Sequence, residues 1–405
     1  MSLPPCVILA EEVWGSALHA IRTLGRDGVP VLVATAGSGA AIYGRSRHCL
    51  AAADFDPSDP IELCRQVAQW ASSLSNGSEP ITIIPLSDRL VEWLHRSRSS
   101  FGPGFVLAIP EPQVAEALLD KVTSFEIAER AGLDVPPWLR VADRSDIDAT
   151  VGLKLPVAVR PTSWATVGDE YLKVAMCRDR PSLVRVLNHY LDHGAELVVQ
   201  EYIDATDSDV EVGILWRSRD RAATAVCTGR KRRQAAPDGG VMVWGESTEL
   251  ADVRAHAERF LDESGFTGLG GIEFIRSGST AWFIEFNPRL EAIHFLATSS
   301  GVDTVRMEYR DLALGEVPTV VAPQHRATAW VGSAWLTRLS SDWSTWPSAL
   351  ADRWAFARSP RRVRAVWSWR DPSPAMAVTS RLARRALIAL VRSDRRRGLA
   401  RSEKR

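Results

Sequence analysis

The chain of 405 residues is poor in cysteine, with only Cys6, Cys49, Cys64, Cys177 and Cys227. Their number is odd, their spacing wide, and no C-x-x-C occurs, which excludes a disulfide frame and a cysteine-ligated zinc site. Long apolar runs are lacking too. The longest near the C-terminus, Ala386–Val391, is six residues, against the roughly 18 that a spanning helix needs. Met1–Glu12 carries no basic stretch, and its apolar run Val7–Ala10 is too short for a signal peptide. A reduced, cytoplasmic protein without stable membrane insertion is expected. Net charge is absent as well: 49 basic residues balance 49 acidic ones. The molecule as a whole is therefore no electrostatic trap for nucleic acid, and no nucleic-acid partner is expected.

What is present fits an ordinary globular chain, with 45% apolar and 24% charged residues. At roughly 100–200 residues per domain the length allows two or three packed units. The first, residues 1–110, alternates strand and helix. Cys6–Ala10, Val29–Ala34, Ile81–Leu86 and Val106–Ile109 read as buried strands, and Trp14–Arg26 and Pro60–Leu74 carry helical apolar stripes. That alternation predicts a doubly wound parallel sheet, which binds ligands beyond the carboxyl ends of its strands.

The second unit, residues 111–320, opens with helices over Gln113–Leu119 and Val122–Ala131. Strands of more antiparallel character follow at Pro156–Arg160, Tyr171–Met176, Leu197–Ile203, Val210–Trp216 and Ala222–Thr228, with helices over Pro181–Asp192 and Ala251–Ser264. Two further strands, Gly270–Ile275 and Ala281–Phe286, end in Asn287-Pro288-Arg289. Residues 321–405 form a Trp- and Arg-rich extension holding seven of the fifteen tryptophans. With no basic groove interleaved, these read as core and a lid edge rather than a base-stacking platform. Ala377–Arg397 is weakly amphipathic and reads as a solvated tail, with contact to an anionic membrane surface as the alternative.

Chemistry concentrates in Gly271-Ile-Glu-Phe274 and Phe283-Ile-Glu-Phe-Asn-Pro-Arg289. Glu273 and Glu285 each stand between large apolar residues, where a carboxylate is costly unless paired or bound to a metal. If the strands are neighbours, alternation turns Glu273, Glu285 and Asn287 to one face. Two carboxylates and an amide oxygen make a hard donor set suited to Mg²⁺ (or Mn²⁺).

In this order the motifs resemble those of the ATP-grasp superfamily, in particular its carboxylate–amine ligases and a bacterial subgroup of ATP-grasp domain proteins. The likeness runs from about Val7 to Glu316. It implies an α/β pre-grasp domain, then a two-lobed grasp with mainly antiparallel sheets (smaller lobe about 136–203), in all a mixed α/β and α+β fold. Leu119-Asp-Lys121 is similar to the entry of the grasp, which carries Lys121 to ATP phosphate. Pro156-Val-Ala-Val-Arg-Pro161 matches the strand whose Lys-Pro holds the α/β phosphates, with Arg160 in the lysine's place. Val198-Val-Gln-Glu-Tyr-Ile203 matches the hinge that reads adenine, bringing in Glu201, Tyr202 and Ile203, with Asp207 or Asp209 for the ribose. Glu273, Glu285 and Asn287 fall on the family's metal ligands and Arg289 on its reaction-centre arginine. Thr228-Gly-Arg-Lys-Arg-Arg-Gln234, Gly239-Gly240 and Tyr309-Arg-Asp311 carry the likeness to the bacterial subgroup.

Two features depart from the pattern. Arg160 presents a planar fork instead of a point charge. The stretch Thr162–Glu170, where relatives have a glycine-rich phosphate loop, holds only Gly168; Lys173 is expected to offset part of that loss. Lys231, in the basic run Arg230–Arg233, is read as a mobile-loop residue meeting the γ-phosphate, where a solvated face is the plainer alternative. Arg289 just after Asn-Pro is read as sitting at a helix N-terminus, a poor place for a cation unless it serves an anion. His294 is read as a packed helix residue. The resemblance implies an ATP- and Mg²⁺-dependent ligase that joins a small carboxylate to an amine through an acyl phosphate, releasing ADP and phosphate. A nucleotide-binding module without ligase activity is the alternative, and a homodimer is compatible with either.

Overall fold

The computed structural model describes residues 3–11, 15–75, 77, 79–163, 174–236, 239–330 and 346–381. The first strand–helix alternation comprises β1 (Cys6–Ala10), α1 (Gly15–Arg26), β2 (Val31–Ala36), α2 (Ala40–Tyr43) and β3 (Ala51–Phe55). It continues through α3 (Pro60–Ser73), β4 (Ile81–Pro85), α4 (Asp88–Arg96) and β5 (Phe105–Leu107). The strands form one all-parallel sheet in the order 3-2-1-4-5. β1, β2 and β4 are wholly buried and apolar save for Thr35 and Thr82, as a sheet covered on both faces requires. Asp59 and Ser87 cap α3 and α4 by accepting backbone N–H bonds, and Pro60 supplies a preset first turn. The strand order reverses between β1 and β4, so a crevice opens at their carboxyl ends.

Helices α5 (Pro112–Leu119) and α6 (Lys121–Arg130) lead out of this unit, with Asp120 capping α6 through the Thr123 N–H at 2.8 Å. A four-stranded antiparallel sheet follows, made of β6 (Trp138–Val141), β7 (Val157–Pro161), β8 (Ala175–Cys177) and β9 (Leu197–Glu201) in the order 6-9-7-8, with α7 (Arg180–Asp192) against it.

The largest sheet has seven strands. β10 (Val210–Arg217), β11 (Thr224–Ala236), β12 (Gly239–Ser247), β13 (Gly268–Ser277) and β14 (Thr280–Asn287) are joined by β15 (Ala327–Trp330) and β16 (Arg361–Arg364), in the order 14-13-10-11-12-15-16. Helices α8 (Ala251–Ser264), α9 (His294–Ser299), α10 (Thr304–Leu314) and α11 (Trp346–Arg358) complete the named elements, and residues 373–381 are helical. The fold is the mixed one expected, a parallel sheet followed by two mainly antiparallel ones.

One core runs from Ile8 and Ile21 of the parallel unit to Val212, Ile214 and Trp216 of the large sheet and Leu296 of α9. A second, rich in phenylalanine (Phe125, Phe260, Phe274, Phe283, Phe286), fills the space under α6 and α8. Beyond β16 the chain returns to the parallel unit. There Asp371 accepts from Arg22 Nε (2.9 Å), Ser46 Oγ (2.8 Å) and the Arg47 N–H (3.1 Å). Among the described residues, no helix is long and apolar enough to cross a membrane.

Candidate active site

β13 and β14 are antiparallel neighbours with Glu273 directly opposite Glu285 and Gly271 opposite Asn287. Directly opposed residues share a face, so the hairpin alone gathers two acids and an amide. Asn287 Nδ2 donates to Glu285 Oε1 at 3.3 Å. A register irregularity follows Glu273, the kind of local kink that re-aims a side chain.

Three cations reach this hairpin from three elements. Lys231 comes from β11, with β10 between, and places Nζ at 2.6 and 2.7 Å from the two Glu273 oxygens. Arg160 comes from β7 of the smaller sheet; its Nη1 lies 3.9 Å from Glu285 Oε2 and its Nη2 donates to Gln200 Oε1 at 3.2 Å. Its Nε is buried with no hydrogen-bond partner among the described residues. Lys121 opens α6, its N–H bound to the Thr162 carbonyl at 2.8 Å.

Burial by itself would raise the Glu285 carboxyl. Lys121, Arg160 and Lys231, with the Asn287 amide, outweigh it and bring the group to about 2. Lys231 shows the converse: burial would pull its ammonium down, but Glu273 at contact and Glu291 and Glu285 beyond hold it above its ordinary value.

The two antiparallel sheets face each other across a cleft of about 920 Å³, within the size range of small-molecule sites. Ala158, Met176, Ile284 and Phe286 give it apolar walls. Lys121, Arg160, Glu201, Tyr202, Ile203, Lys231, Glu273, Glu285, Asn287 and Arg289 all line it. At the hinge, Glu201 and Tyr202 donate their N–H groups to the Pro137 and Pro156 carbonyls, and the Glu201 carboxylate accepts from the Lys154 N–H at 2.7 Å.

Several expected placements change. Asp207 and Asp209 are not among the residues lining the cleft. Asp209 turns back to cap the Thr206 N–H and hydroxyl, and Asp207 lies 3.6 Å from Arg233. The basic run Arg230–Arg233 is no loop but part of β11, because each base meets an acid: Glu211, Glu273, Glu246 and Asp352 in turn. Arg289 lies in a bend before α9 rather than at its first turn. Two bonds of 2.8 and 3.0 Å tie it to Asp88, and a third of 3.2 Å to Asn287 Oδ1. His294 is fully buried against Thr304 Oγ1 at 2.7 Å, and burial lowers it to about 3, so it stays neutral. Lys173 and most of Thr162–Glu170 lie outside the described residues.

Sequence reasoning missed Asp88, Gln200 and Glu291. Glu291 lines the cleft 3.5 Å from Arg289, and burial raises its carboxyl to about 8. A charged residue two positions past Arg289 in an otherwise apolar stretch was the available signal.

No protein-family model matches the chain. A D-aspartate ligase of Enterococcus faecium (strain Aus0004) is 21% identical over 295 residues, 68% of this chain and 69% of that one. Among solved structures, N5-carboxyaminoimidazole synthetase from Staphylococcus aureus, complexed with ADP, superposes with a TM-score of 0.60 at 13% identity. It covers 80% of this chain and 81% of its own. The biotin carboxylase domain of Hydrogenobacter thermophilus 2-oxoglutarate carboxylase was crystallised with MgADP, ADP and bicarbonate. It gives a TM-score of 0.62 at 17% identity, over 81% of this chain and 74% of that one. At such identities the shared property is the fold.

Proposed function

We propose that the chain is an ATP-grasp protein and acts as an ATP-dependent ligase that joins a small carboxylate to an amine through an acyl phosphate. The observation that carries this reading is the convergence of Lys121, Arg160 and Lys231 on the Glu273–Glu285–Asn287 hairpin in one cleft. Phosphoryl transfer asks little of a protein beyond positioning and cations around the transferred oxygens. Those three bases would neutralise the triphosphate, while the Glu201–Ile203 hinge and the apolar walls would take the purine. The hairpin's donor set of carboxylate and amide oxygens fits a hard divalent ion. Glu273, Glu285 and Asn287 are the residues that would hold it, and its charge, when bound, offsets that of the phosphates.

In the reaction, a carboxylate oxygen attacks the γ-phosphorus, the bond to the β–γ bridging oxygen breaks, and ADP leaves. The amine then displaces phosphate from the acyl carbon. Arg289, fixed by Asp88, would steady the anionic acyl phosphate. The alternative of a nucleotide-binding module is favoured by Arg160, whose guanidinium is already engaged by Gln200 and Glu285. ATP would then stabilise the protein with no turnover.

The test is nucleotide-product analysis with ATP, Mg²⁺ and a panel of carboxylates and amines. The ligase forms ADP and phosphate, and Glu285→Gln reduces turnover at least roughly 100-fold, the scale of losing a charge-stabilising group. Production of AMP and pyrophosphate overturns the acyl-phosphate route. Full turnover by Glu285→Gln removes the metal assignment.

A further inference from the structure

Beyond the hairpin, the cleft reaches the carboxyl ends of β1 and β4, where Glu11, Ser16, Ser87 and Asp88 line it. Most acids at this end already have a cation. Glu11 pairs with Arg89, and Asp88 takes the Arg289 fork at 2.8 and 3.0 Å. Glu291 is held more loosely. Its side chain is only 12% exposed, and it meets Arg289 Nη1 at 3.5 Å, while Nε and Nη2 of the same guanidinium serve Asp88 and Asn287. Glu291 Oε2 is buried with no hydrogen-bond partner among the described residues. An unpartnered buried carboxylate oxygen is costly and calls for an explanation.

The backbone is shaped to keep the carboxylate there. Gly271, opposite Asn287 on β13, lies beneath Oε2: a Cβ at that position would come within 2.2 Å of the oxygen and 2.9 Å of Ile293 Cδ1. The Glu291 carbonyl accepts the His294 N–H at 3.2 Å, which fixes the residue at the turn into α9. Glu291 faces Arg289 through Oε1 but keeps Oε2 without a donor among the described residues, so an ammonium in the cleft would supply the missing hydrogen bond and a further positive charge.

We propose that Glu291 binds the acceptor as its ammonium and takes one proton from it, so that the free primary amine attacks the acyl carbon, phosphate leaves, and the nitrogen gives its next proton to the departing phosphate. This rests on the ligase reading above. The perturbed titration of Glu291 agrees with it: burial raises the carboxyl to about 8, opposed by Arg289 and Lys231 and assisted by Glu273 and Glu285. A bound cation removes that penalty.

The experiment uses the full chain with MgADP, titrated by calorimetry with n-butylammonium, L-alaninamide and L-lysinamide, which are cations without a carboxylate. At least one binds the wild type. Glu291→Gln, which keeps shape and loses charge, weakens it roughly tenfold to a hundredfold, the scale of one charge-assisted hydrogen bond, and Glu291→Asp recovers part of the loss. In turnover, hydroxylamine, neutral at pH 7, competes with the amine for the acyl phosphate. Glu291→Gln raises the amine KM and lowers the ratio of amide to hydroxamate. The proposal is overturned if none of the three cations binds the wild type, if Glu291→Gln binds them equally well, or if the amide-to-hydroxamate ratio is unchanged. If wild type forms neither ADP nor hydroxamate with any carboxylate, the ligase reading falls and the calorimetry alone decides whether Glu291 is an ammonium site.

Discussion

Consider replacing Lys231 by methionine. The ammonium lies 2.6 and 2.7 Å from the two Glu273 oxygens, and the residues are only 4% and 7% exposed. Taking one member from a buried pair leaves the other charge desolvated without its contact partner, at a cost of about 3–5 kcal/mol. Glu273→Leu acts in the same direction, since it strands the ammonium. Replacing both with apolar residues of similar volume removes the two desolvation penalties together and returns stability to within about 1–2 kcal/mol of wild type. The cycle is read by urea or thermal unfolding at pH 7, where each kcal/mol moves the midpoint by roughly 2–4 °C for a unit of 150–250 residues. The double variant separates folding from function: it recovers stability but no longer gains thermal stability with MgATP. The reasoning is refuted if either single variant costs less than about 1 kcal/mol, or if the double variant loses the sum of the two.

Glu308 offers a test by pH. It is buried and accepts the Trp216 indole N–H at 2.9 Å; burial, assisted by Asp311, lifts its carboxyl from 4.5 to about 8 against Arg219 and that hydrogen bond. The raised value favours the protonated form in the fold, so this contribution is complete below about 4.5 and drains away as pH rises through about 8, at about 1.4 kcal/mol per unit between them. Glu308→Gln therefore gains relative to wild type between pH 5 and pH 8 in paired unfolding measurements, and an equal difference at both pH values would sink the argument. Asp371→Ala leaves Arg22, only 5% exposed, without its carboxylate, and also unties Ser46 and the Arg47 N–H. It should cost about 3–5 kcal/mol and speed proteolytic release of residues 346–381. Unchanged cleavage would show that the return of the chain to the parallel unit is held elsewhere.

The hairpin was legible in sequence for a definite reason. An acid between large apolar residues on a buried strand demands a partner, and alternation of period two then fixes which neighbours share its face. Glu273, Glu285 and Asn287 follow from that rule and meet across β13 and β14. β3 escaped because Ala51-Ala-Ala-Asp-Phe55 has neither alternation nor β-branched residues, and its parallel pairing with β2 makes it a strand. The run Arg230–Arg233 reads as a mobile loop in the sequence because its partners Glu211, Glu273, Glu246 and Asp352 lie between 14 and 119 residues away. Asp88 and Arg289 are separated by 201 positions and meet only because the crevice of the parallel sheet opens onto the end of β14. Glu291 stands two positions past Arg289, but what makes it unusual is an Oε2 with no hydrogen-bond partner among the described residues and Gly271 beneath it, and neither is written near residue 291.

The charges of the cleft are matched before any ligand enters: Lys231 with Glu273, Arg160 near Glu285, and Arg289 with Asp88. In a partly desolvated site such pairing keeps the ligand-free fold stable, since a lone charge there would be expensive. The same pairing makes the site responsive. In the proposed ligase, an incoming triphosphate would draw Lys231 and Arg160 toward its oxygens and so free Glu273 and Glu285 to take positive charge, which would couple the occupancy of the two halves of the hairpin site. Arg289 behaves differently because both of its bonds to Asp88 are short and parallel, a geometry in which the fork is held rather than exchanged. Asp88 thus fixes Arg289, and Nη1 is left facing Glu291 Oε1 at 3.5 Å.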